Sequence, residues 1–336
     1  MDLSIILVNY KSTSLVLDCL KSIYQQTNQY SFEIILVDND SKDDCKEIII
    51  QHYPSVIFIS MDYNAGFARA NNAGIQIAKG EFILLLNTDT IILDGAIDKS
   101  ISKLKNHSDA VGCGVQLLNT DGSTQISGAH FIKGGLNTLL PLPYLGKFIR
   151  WLGYQLKAKI PSITTIKDTI EVDWIVGAYM LIRKKVIEKS GLLDNDFFMY
   201  AEEIEWCARL RKQGNLLLFP EPTVTHIGGG TSSDYYSTTE SQNGKNLWDA
   251  KGKQVMLSTM VRIRKQFGVG WFLIIFATYL FEIPIFLIGL LIEKILKIGK
   301  TKYQFKNILN YTSNILVILK LFFTILLNKP HFYKVS

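Results

Sequence analysis

The chain has 336 residues, 48% apolar and 20% charged, which excludes an intrinsically disordered protein and leaves room for one large α/β domain plus an additional segment. Its net charge of +6 is unevenly spread: from Met260 onward eleven Lys and Arg face two acids, a net of +9, and residues 1–259 carry a net of −3. A nucleic-acid binder places its cations on the folded face. A near-neutral globule with a basic, apolar tail excludes that class and points to an anionic membrane surface.

The first 115 residues alternate in type. Apolar runs of strand length are Leu3–Val8, Glu33–Val37, Val56–Ile59, Phe82–Leu86 and Ala110–Val115. Segments with helical spacing separate them: Ser14–Gln26, Asp43–Gln51, Ala68–Lys79 and Asp94–Lys105. Continuous apolar strands divided by helices predict an α/β fold, a mostly parallel sheet with helices on both faces. The start has no basic region and an acid at position 2, so it does not read as a signal peptide, and the catalytic part is expected in the cytoplasm. Cys19, Cys45, Cys113 and Cys207 are scattered without a C-x-x-C pair and read as core thiols of a reducing compartment.

Beyond residue 115 the rhythm breaks. Asn119–Ser123 reads as a hairpin turn. Residues 134–168, rich in Gly and Pro, read as a long excursion or lid. Val172–Arg183 resumes as strand, Ala201–Gln213 as a helix ended by Gly214, and Leu216–Phe219 and Thr223–His226 as two further strands. Gly228-Gly229-Gly230 opens a flexible segment that extends to about Gly244. In the tail, Trp271–Ile292 has the length to span a bilayer. Cations stand on both sides of it: Arg262, Arg264 and Lys265 before, Lys294, Lys297, Lys300 and Lys302 after. The positive-inside rule disfavours a single span so flanked, so the expectation is a helix broken near Pro284 that dips in and returns. Asn314–Leu327, with Lys320 at its centre, reads as an interfacial amphipathic helix. The alternative is a helical pair buried against the soluble domain or a partner chain.

In an open parallel sheet, ligands bind beyond the carboxyl ends of the strands. Those ends carry Asn9 and Tyr10; Asp38, Asn39, Asp40 and Ser41; Asp62, Tyr63 and Asn64; and Asn87, Thr88 and Asp89. The first turn, Asn9-Tyr10-Lys11-Ser12-Thr13, has no Gly, which excludes both the dinucleotide fingerprint and the P-loop. A diphosphate then needs a divalent metal on a carboxylate. Asp89 is the candidate, and from its local run it reads equally well as a helix N-cap.

Several blocks together resemble glycosyltransferase family 2, in its rhamnosyltransferase-like branch. They are Ile5–Tyr10, Val37–Ser41, Asn64–Ala68, Asn71–Gly74, Leu84–Thr90, Gly177-Ala178, Phe197–Glu203 and His226–Gly229, in order over roughly residues 3–230. The resemblance implies a GT-A, Rossmann-like fold and an inverting, metal-dependent transfer of sugar from a nucleoside-diphosphate donor. Its catalytic domain would be residues 1–230, with a nucleotide-sugar half of about 1–115 and an acceptor half of about 116–230. A flexible or helical connector would follow at 231–266, then a basic apolar helical tail at 267–336, peripheral or monotopic at the cytoplasmic face of the membrane.

The resemblance also implies roles. Asn9, Tyr10, Asp38, Asn39, Asn64, Gly66, Arg69, Asn72, Asn87, Thr88 and Asp89 would line the donor site, Asp38 at the base or ribose. Asn87-Thr88-Asp89 stands at the family's D-x-D, where this branch usually has N-P-D. Asp89 and His226 would hold Mn2+ or Mg2+, and an imidazole ligand favours Mn2+. The family draws its catalytic base from an E-D pair; here that pair is Glu202-Glu203, with a Glu where Asp is usual. Acids in a first helical turn also suit the macrodipole. Trp174, Gly177, Phe198 and Tyr200 are candidates for the sugar and acceptor pocket. Asp194-Asn195-Asp196 spells D-x-D but follows a turn, and reads as turn and cap chemistry.

The implied donor is dTDP-L-rhamnose, with UDP-hexoses next, and the implied acceptor a lipid-linked or cell-envelope glycan. Of the competing readings, a sugar-nucleotide pyrophosphorylase needs a Gly-rich, Arg-containing first loop that Asn9–Thr13 lacks. A non-catalytic glycan- or nucleotide-binding scaffold remains open because Glu203 departs from the pattern.

Overall fold

The computed structural model describes residues 1–157, 161–228, 246–296 and 303–335. Gly229, Gly230 and the segment to Gly244 expected to be flexible, like Lys297, Lys300 and Lys302, lie outside the described residues.

The early apolar runs form β1 (Leu3–Asn9), β2 (Phe32–Asp38), β3 (Ile57–Ser60) and β4 (Phe82–Asn87), parallel and in the order β3-β2-β1-β4. Alternate residues face opposite sides of the sheet. Leu3, Ile5 and Leu7 join a core with α1 (Thr13–Gln26), α2 (Cys45–His52) and α4 (Ala96–Lys105). Ile6 faces α3 (Gly66–Ile77), where a Cβ on Gly74 would come within 2.7 Å of it. Helices therefore cover both faces, which is why these strands are apolar at most positions.

Four further strands extend the sheet past β4. They are β5 (Thr90–Ile92), β6 (Ala110–Leu118), β11 (Tyr179–Arg183) and β12 (Asn215–His226), in the order β4-β11-β6-β12-β5. β11 enters antiparallel between β4 and β6, and β12 runs parallel to β6 but antiparallel to β5 and to β9 (Ile170–Val172). β1–β4, β6 and β12 share one direction, so the sheet is mixed and mostly parallel.

The Val172–Arg183 run is not one strand. Asp173 interrupts it by accepting the Phe131 N–H at 2.6 Å and pairing with Arg211. β10 (Trp174–Ile175) then leaves to join β7 (Gly128–Ala129) and β8 (Ser162–Ile163) in a small second sheet. The opposite difference occurs in β12. It joins the two predicted strands through a register shift between Phe219 and Thr223, where Pro220 and Pro222 donate no ladder bond. The expected hairpin turn is present: Asn119 N–H donates to the Ser123 carbonyl at 2.8 Å.

The chain separates into two units. The sheet unit comprises Met1–Phe131, Ser162–Phe198 and the chain from Glu202 through β12, including α6 (Lys184–Ser190) and α7 (Glu202–Leu210). The helical unit comprises the segment from Ile132, Met199–Ala201 and the helices beyond β12.

The helical unit corrects two expectations, on the excursion and on the break at Pro284. The supposed excursion at 134–168 contains a 3-10 helix (Lys133–Leu139) and α5 (Leu145–Gln155). Gly134, at φ 64°, permits the close approach: a Cβ there would fall 2.1 Å from the Trp271 ring. The connector contains α8 (Ala250–Phe267), whose N-cap Asp249 accepts the Gly252 N–H at 2.6 Å. The apolar stretch forms one helix, α9 (Val269–Ile295), that continues through Pro284. Packing holds it in the turn before the proline. The Tyr311 hydroxyl donates to the Tyr279 carbonyl at 2.9 Å, and Glu282 accepts the Tyr144 and Leu145 N–H groups at 2.7 and 3.1 Å. Glu282, the acid inside an apolar helix, thus satisfies the free amides at the start of α5.

By length and composition α9 suffices to cross a membrane, and 33% of its most apolar window is buried. The last predicted helix begins earlier, as α10 (Phe305–Lys320) with a Gln304–Asn307 capping box, and α11 (Phe322–Leu326) follows. Lys320 therefore stands at a helix C-terminus, where its charge suits the dipole, and not at a helix centre.

Candidate functional site

The strand ends converge on a polar rim, but several of its side chains hold the loops themselves. Asn9 is fully buried. Its amide donates to Asp38 Oδ1 at 2.9 Å and Ser41 Oγ at 3.1 Å, and its carbonyl accepts the Ser12 hydroxyl at 2.9 Å. Asn39 donates to Asn64 Oδ1 at 3.0 Å and accepts the Ala65 N–H at 2.8 Å, fixing the turn into α3. Asp38 and Tyr10 stay partly exposed at the rim.

Gly66, Arg69 and Asn72 tie α3 to the 193–198 loop. Gly66 has φ 76°, and a Cβ there would lie 2.0 Å from the Phe198 carbonyl. Arg69 Nε donates to the Asn195 carbonyl at 2.8 Å. Asn72 donates to the Leu193 carbonyl at 2.8 Å and accepts its N–H at 3.0 Å. Within that loop Asp194 accepts the Asp196 N–H at 2.9 Å, the turn chemistry read for this D-x-D spelling.

Asn87, Thr88 and Asp89 occupy the link between β4 and β5. Pairing of β5 with β12 sets Thr90 opposite His226. His226 Nε2 then lies 3.3 Å from Asp89 Oδ1 and 3.4 Å from Asn87 Nδ2. Thr88 is buried with its hydroxyl 3.4 Å from that of Ser12.

Gln125, which the sequence reading did not single out, fixes the imidazole. Its amide nitrogen donates to the His226 carbonyl at 2.6 Å and to Asn119 Oδ1 at 2.7 Å. That leaves Gln125 Oε1 as the atom 2.9 Å from His226 Nδ1, so Nδ1 carries the proton. Nε2 then presents a lone pair towards the Asp89 carboxylate. Only a proton on Nε2 or a cation reconciles those two atoms, so the donor set suits a divalent metal. A His whose second nitrogen donates to a carbonyl is the usual supporting arrangement.

Burial raises the Asp89 carboxyl. The hydrogen bond and charge that His226 supplies when its ring is protonated on both nitrogens, with the Asp89 and Gly228 amides, outweigh it and hold Asp89 below its ordinary value. Asp89 therefore stays ionised at neutral pH. We expect Gln125→Leu to weaken Mn2+ binding about 10–100-fold, read by Mn2+ titration in electron paramagnetic resonance. Unchanged affinity would remove Gln125 from the site. A lone Gln beyond a turn carries no sequence signal.

A second grouping able to hold a metal is Asp38, Asp43 and Cys45, with ligand atoms within 4.8 Å of one another. Burial pushes the Cys45 thiol up to about 11, so it is protonated at neutral pH and ill-suited to a hard cation.

The acids of α7 divide. Glu205 binds Arg209 through both carboxylate oxygens, at 2.9 and 2.8 Å, and anchors the 190–192 turn through it. Glu202 is 3% exposed and Glu203 is partly exposed. Glu203 lies beside Gly177, where a Cβ would sit 3.8 Å from Glu203 Cγ and 3.5 Å from the Phe67 ring. Phe198 is fully buried and Trp174 partly buried in β10. Tyr200 and Ala201, just before α7, both have positive φ, 70° and 67°. Such strain persists where surrounding structure enforces it. They group with the helical unit, in which Ser258 donates to the Met199 carbonyl at 2.7 Å and Lys251 lies 5.9 Å from the Tyr200 ring centroid.

The family model described as glycosyl transferase family 2 matches residues 4–191. The chain is 30% identical over 223 residues to the low-salt glycan biosynthesis hexosyltransferase Agl10 of Haloferax volcanii, covering 63% of this chain and 62% of that protein. It is 26% identical over 208 residues to the N-acetylglucosaminyl-diphospho-decaprenol L-rhamnosyltransferase of Mycobacterium tuberculosis, covering 57% of this chain and 66% of that protein. The chain thus spans just under two thirds of the length of these relatives. In fold it is similar to the mannosyltransferase PcManGT of Pyrobaculum calidifontis, solved with GDP-Man and Mn2+. That match has a TM-score of 0.52 and 12% identity, over 97% of this chain and 83% of that one.

Proposed function

The chain belongs to glycosyl transferase family 2, in its rhamnosyltransferase-like branch, and from that premise we propose a metal-dependent, inverting transfer of a sugar from a nucleoside-diphosphate donor. The observation that carries the metal reading is the Asp89–His226 pair, with His226 Nδ1 committed to Gln125. Asp89 and His226 would hold the ion, which, when bound, neutralises charge on the departing diphosphate. Asp38 and Tyr10 line the nucleotide end, with Asn9, Asn39, Asn64 and Thr88 keeping its loops in place. Gly66, Arg69 and Asn72 act one step back, by seating the 193–198 loop.

Glu203 is the base of this reading. Its carboxylate takes the proton of the acceptor hydroxyl as that oxygen bonds to the anomeric carbon. The bond from that carbon to the phosphate oxygen breaks with its electron pair, and the nucleoside diphosphate leaves. Partial exposure beside Gly177 supports Glu203, while burial of Glu202 places it behind. Trp174 and Gly177 remain the candidates for the acceptor side.

L-rhamnose from dTDP-L-rhamnose is the proposed donor, on the branch resemblance. A UDP-hexose is the second reading, favoured by the hexosyltransferase relative. A lipid-linked acceptor follows from the decaprenol-linked substrate named for the mycobacterial relative. The apolar α9 and the basic tail support association with an anionic membrane surface, at its cytoplasmic face.

The test is turnover of dTDP-L-rhamnose, UDP-glucose, UDP-GlcNAc and GDP-mannose with Mn2+, Mg2+ or EDTA, read as nucleoside-diphosphate release. We expect dTDP-L-rhamnose turnover that EDTA abolishes. Turnover indifferent to EDTA sinks the metal; a preference for a UDP sugar replaces the donor; silence with every donor sinks the transferase reading.

A further inference from the structure

Helix α5 is turned outward. Gly146 is its one buried residue. Phe148, Trp151, Leu152 and, just past its end, Leu156 fall on one face at helical spacing, and all are exposed, Trp151 by 55% and Leu156 by 71%. Lys147, Arg150, Tyr154 and Lys157 form the stripe beside them, with Tyr154 83% exposed. Residues 145–157 contain three cations and no acid. A helix of a soluble domain turns its apolar stripe to the core. This one shows aromatic and aliphatic side chains to the outside, flanked by cations.

The helix does not stand alone. Within the helical unit it is tied to α9 along about three turns. Glu282 accepts the Tyr144 and Leu145 N–H groups, Gly289 leaves room for the Tyr144 ring, and Lys147 Nζ meets Glu293 at 3.4 Å. On α9 itself Phe281, Ile288, Ile292 and Ile295 are exposed. The apolar stripe of α5 is therefore fastened to the helix whose length and composition suit a membrane.

We propose that α5 docks in the headgroup layer of an anionic bilayer, with Phe148, Trp151, Leu152 and Leu156 in the acyl boundary and Arg150 and Lys157 at the phosphates. Aromatic side chains and cations are the residue types that layer selects. The proposal rests on the membrane reading of the helical unit and adds to it a docking element from the middle of the chain.

The four native cysteines are buried, so the full-length variant Gln155→Cys accepts a thiol-reactive environmental dye at one place on the stripe. It is mixed with phosphatidylcholine vesicles with and without phosphatidylglycerol. Flotation reports binding of the whole protein, and the dye reports α5. We expect flotation with the anionic vesicles, a blue shift and quenching by spin-labelled acyl chains. The same dye at Lys46→Cys, on α2, stays water-like. Lys157→Gln lowers partitioning about fivefold, and neutralising Arg150 and Lys157 together lowers it about thirtyfold. A protein that floats with a water-like dye at position 155 overturns the docking of α5 and leaves the membrane reading standing. A protein that does not float overturns both. A blue shift that grows with protein concentration in the absence of vesicles assigns the stripe to a second copy of the chain and overturns the proposal.

Discussion

Asp89→Asn is expected to lower turnover by on the order of 10³-fold and to abolish metal-dependent nucleotide binding. The substitution keeps the shape of the side chain and its ability to accept from the Asp89 and Gly228 amides. It removes the charge, the property that a cation between Asp89 and His226 needs. The two side chains offer one oxygen and one nitrogen 3.3 Å apart, so losing either leaves a single protein ligand. Protonation cannot mimic the variant near neutral pH. The folded carboxyl is held below its ordinary value, so its stabilising contribution is present above the unfolded value, about 3.9. It is lost only as pH falls through the still lower folded value. The measurement is calorimetric titration of Mn2+ with nucleoside diphosphate, beside turnover. Full activity and binding in the variant would end the metal assignment.

Glu203→Gln is expected to act on a different quantity. Turnover falls about 10²–10⁴-fold, the usual contribution of a general base, and donor affinity is unchanged. Glutamine retains the packing beside Gly177 and cannot take the proton. Glu202→Gln provides the comparison, because Glu202 is buried and Glu205 is committed to Arg209. If Glu202→Gln removes the rate and Glu203→Gln does not, the roles exchange. If neither lowers a measurable rate, the base lies elsewhere; if the unaltered chain has no rate to lose, it is a scaffold that binds without turning over.

The sheet was legible where each strand is buried on both faces. There the sequence is apolar at successive positions and stops at a polar residue, as at Leu86-Asn87 and Val37-Asp38. β11 was less legible, because an antiparallel strand inserted between β4 and β6 has the same apolar composition as a parallel one. The helical unit was misread for a related reason. Proline predicts a break, and at Pro284 the neighbouring contacts from Tyr311 and Tyr144 override local propensity. The glycines at 134 and 135 looked like loop punctuation, whereas they permit close packing against Trp271 and Ile263.

At the site, residue type alone pointed to the β4 end, and the family pattern brought in His226. Neither distinguishes a side chain that meets a ligand from one that holds a loop. Asn9 and Asn72 are polar, sit near the rim and are spent on Asp38 and Leu193. Gln125 was invisible because its importance comes from the three atoms it joins, one on Asn119 and two on His226, the latter 101 residues away.

The bond from Glu282 to the start of α5 also has a consequence in time. Glu282 stands 137 residues after Leu145 in the chain. At a synthesis rate of about 5–20 residues per second, that separation is on the order of ten seconds. The first four strands leave the ribosome within the first 87 residues and have their pairing partners at hand. The α5 segment emerges with its leading amides uncapped, its glycines uncovered and its Trp151 stripe bare, long before α9 exists to receive it. Under the docking proposed for α5, a nearby bilayer is the first surface that the stripe meets, so attachment to lipid would precede completion of the helical unit.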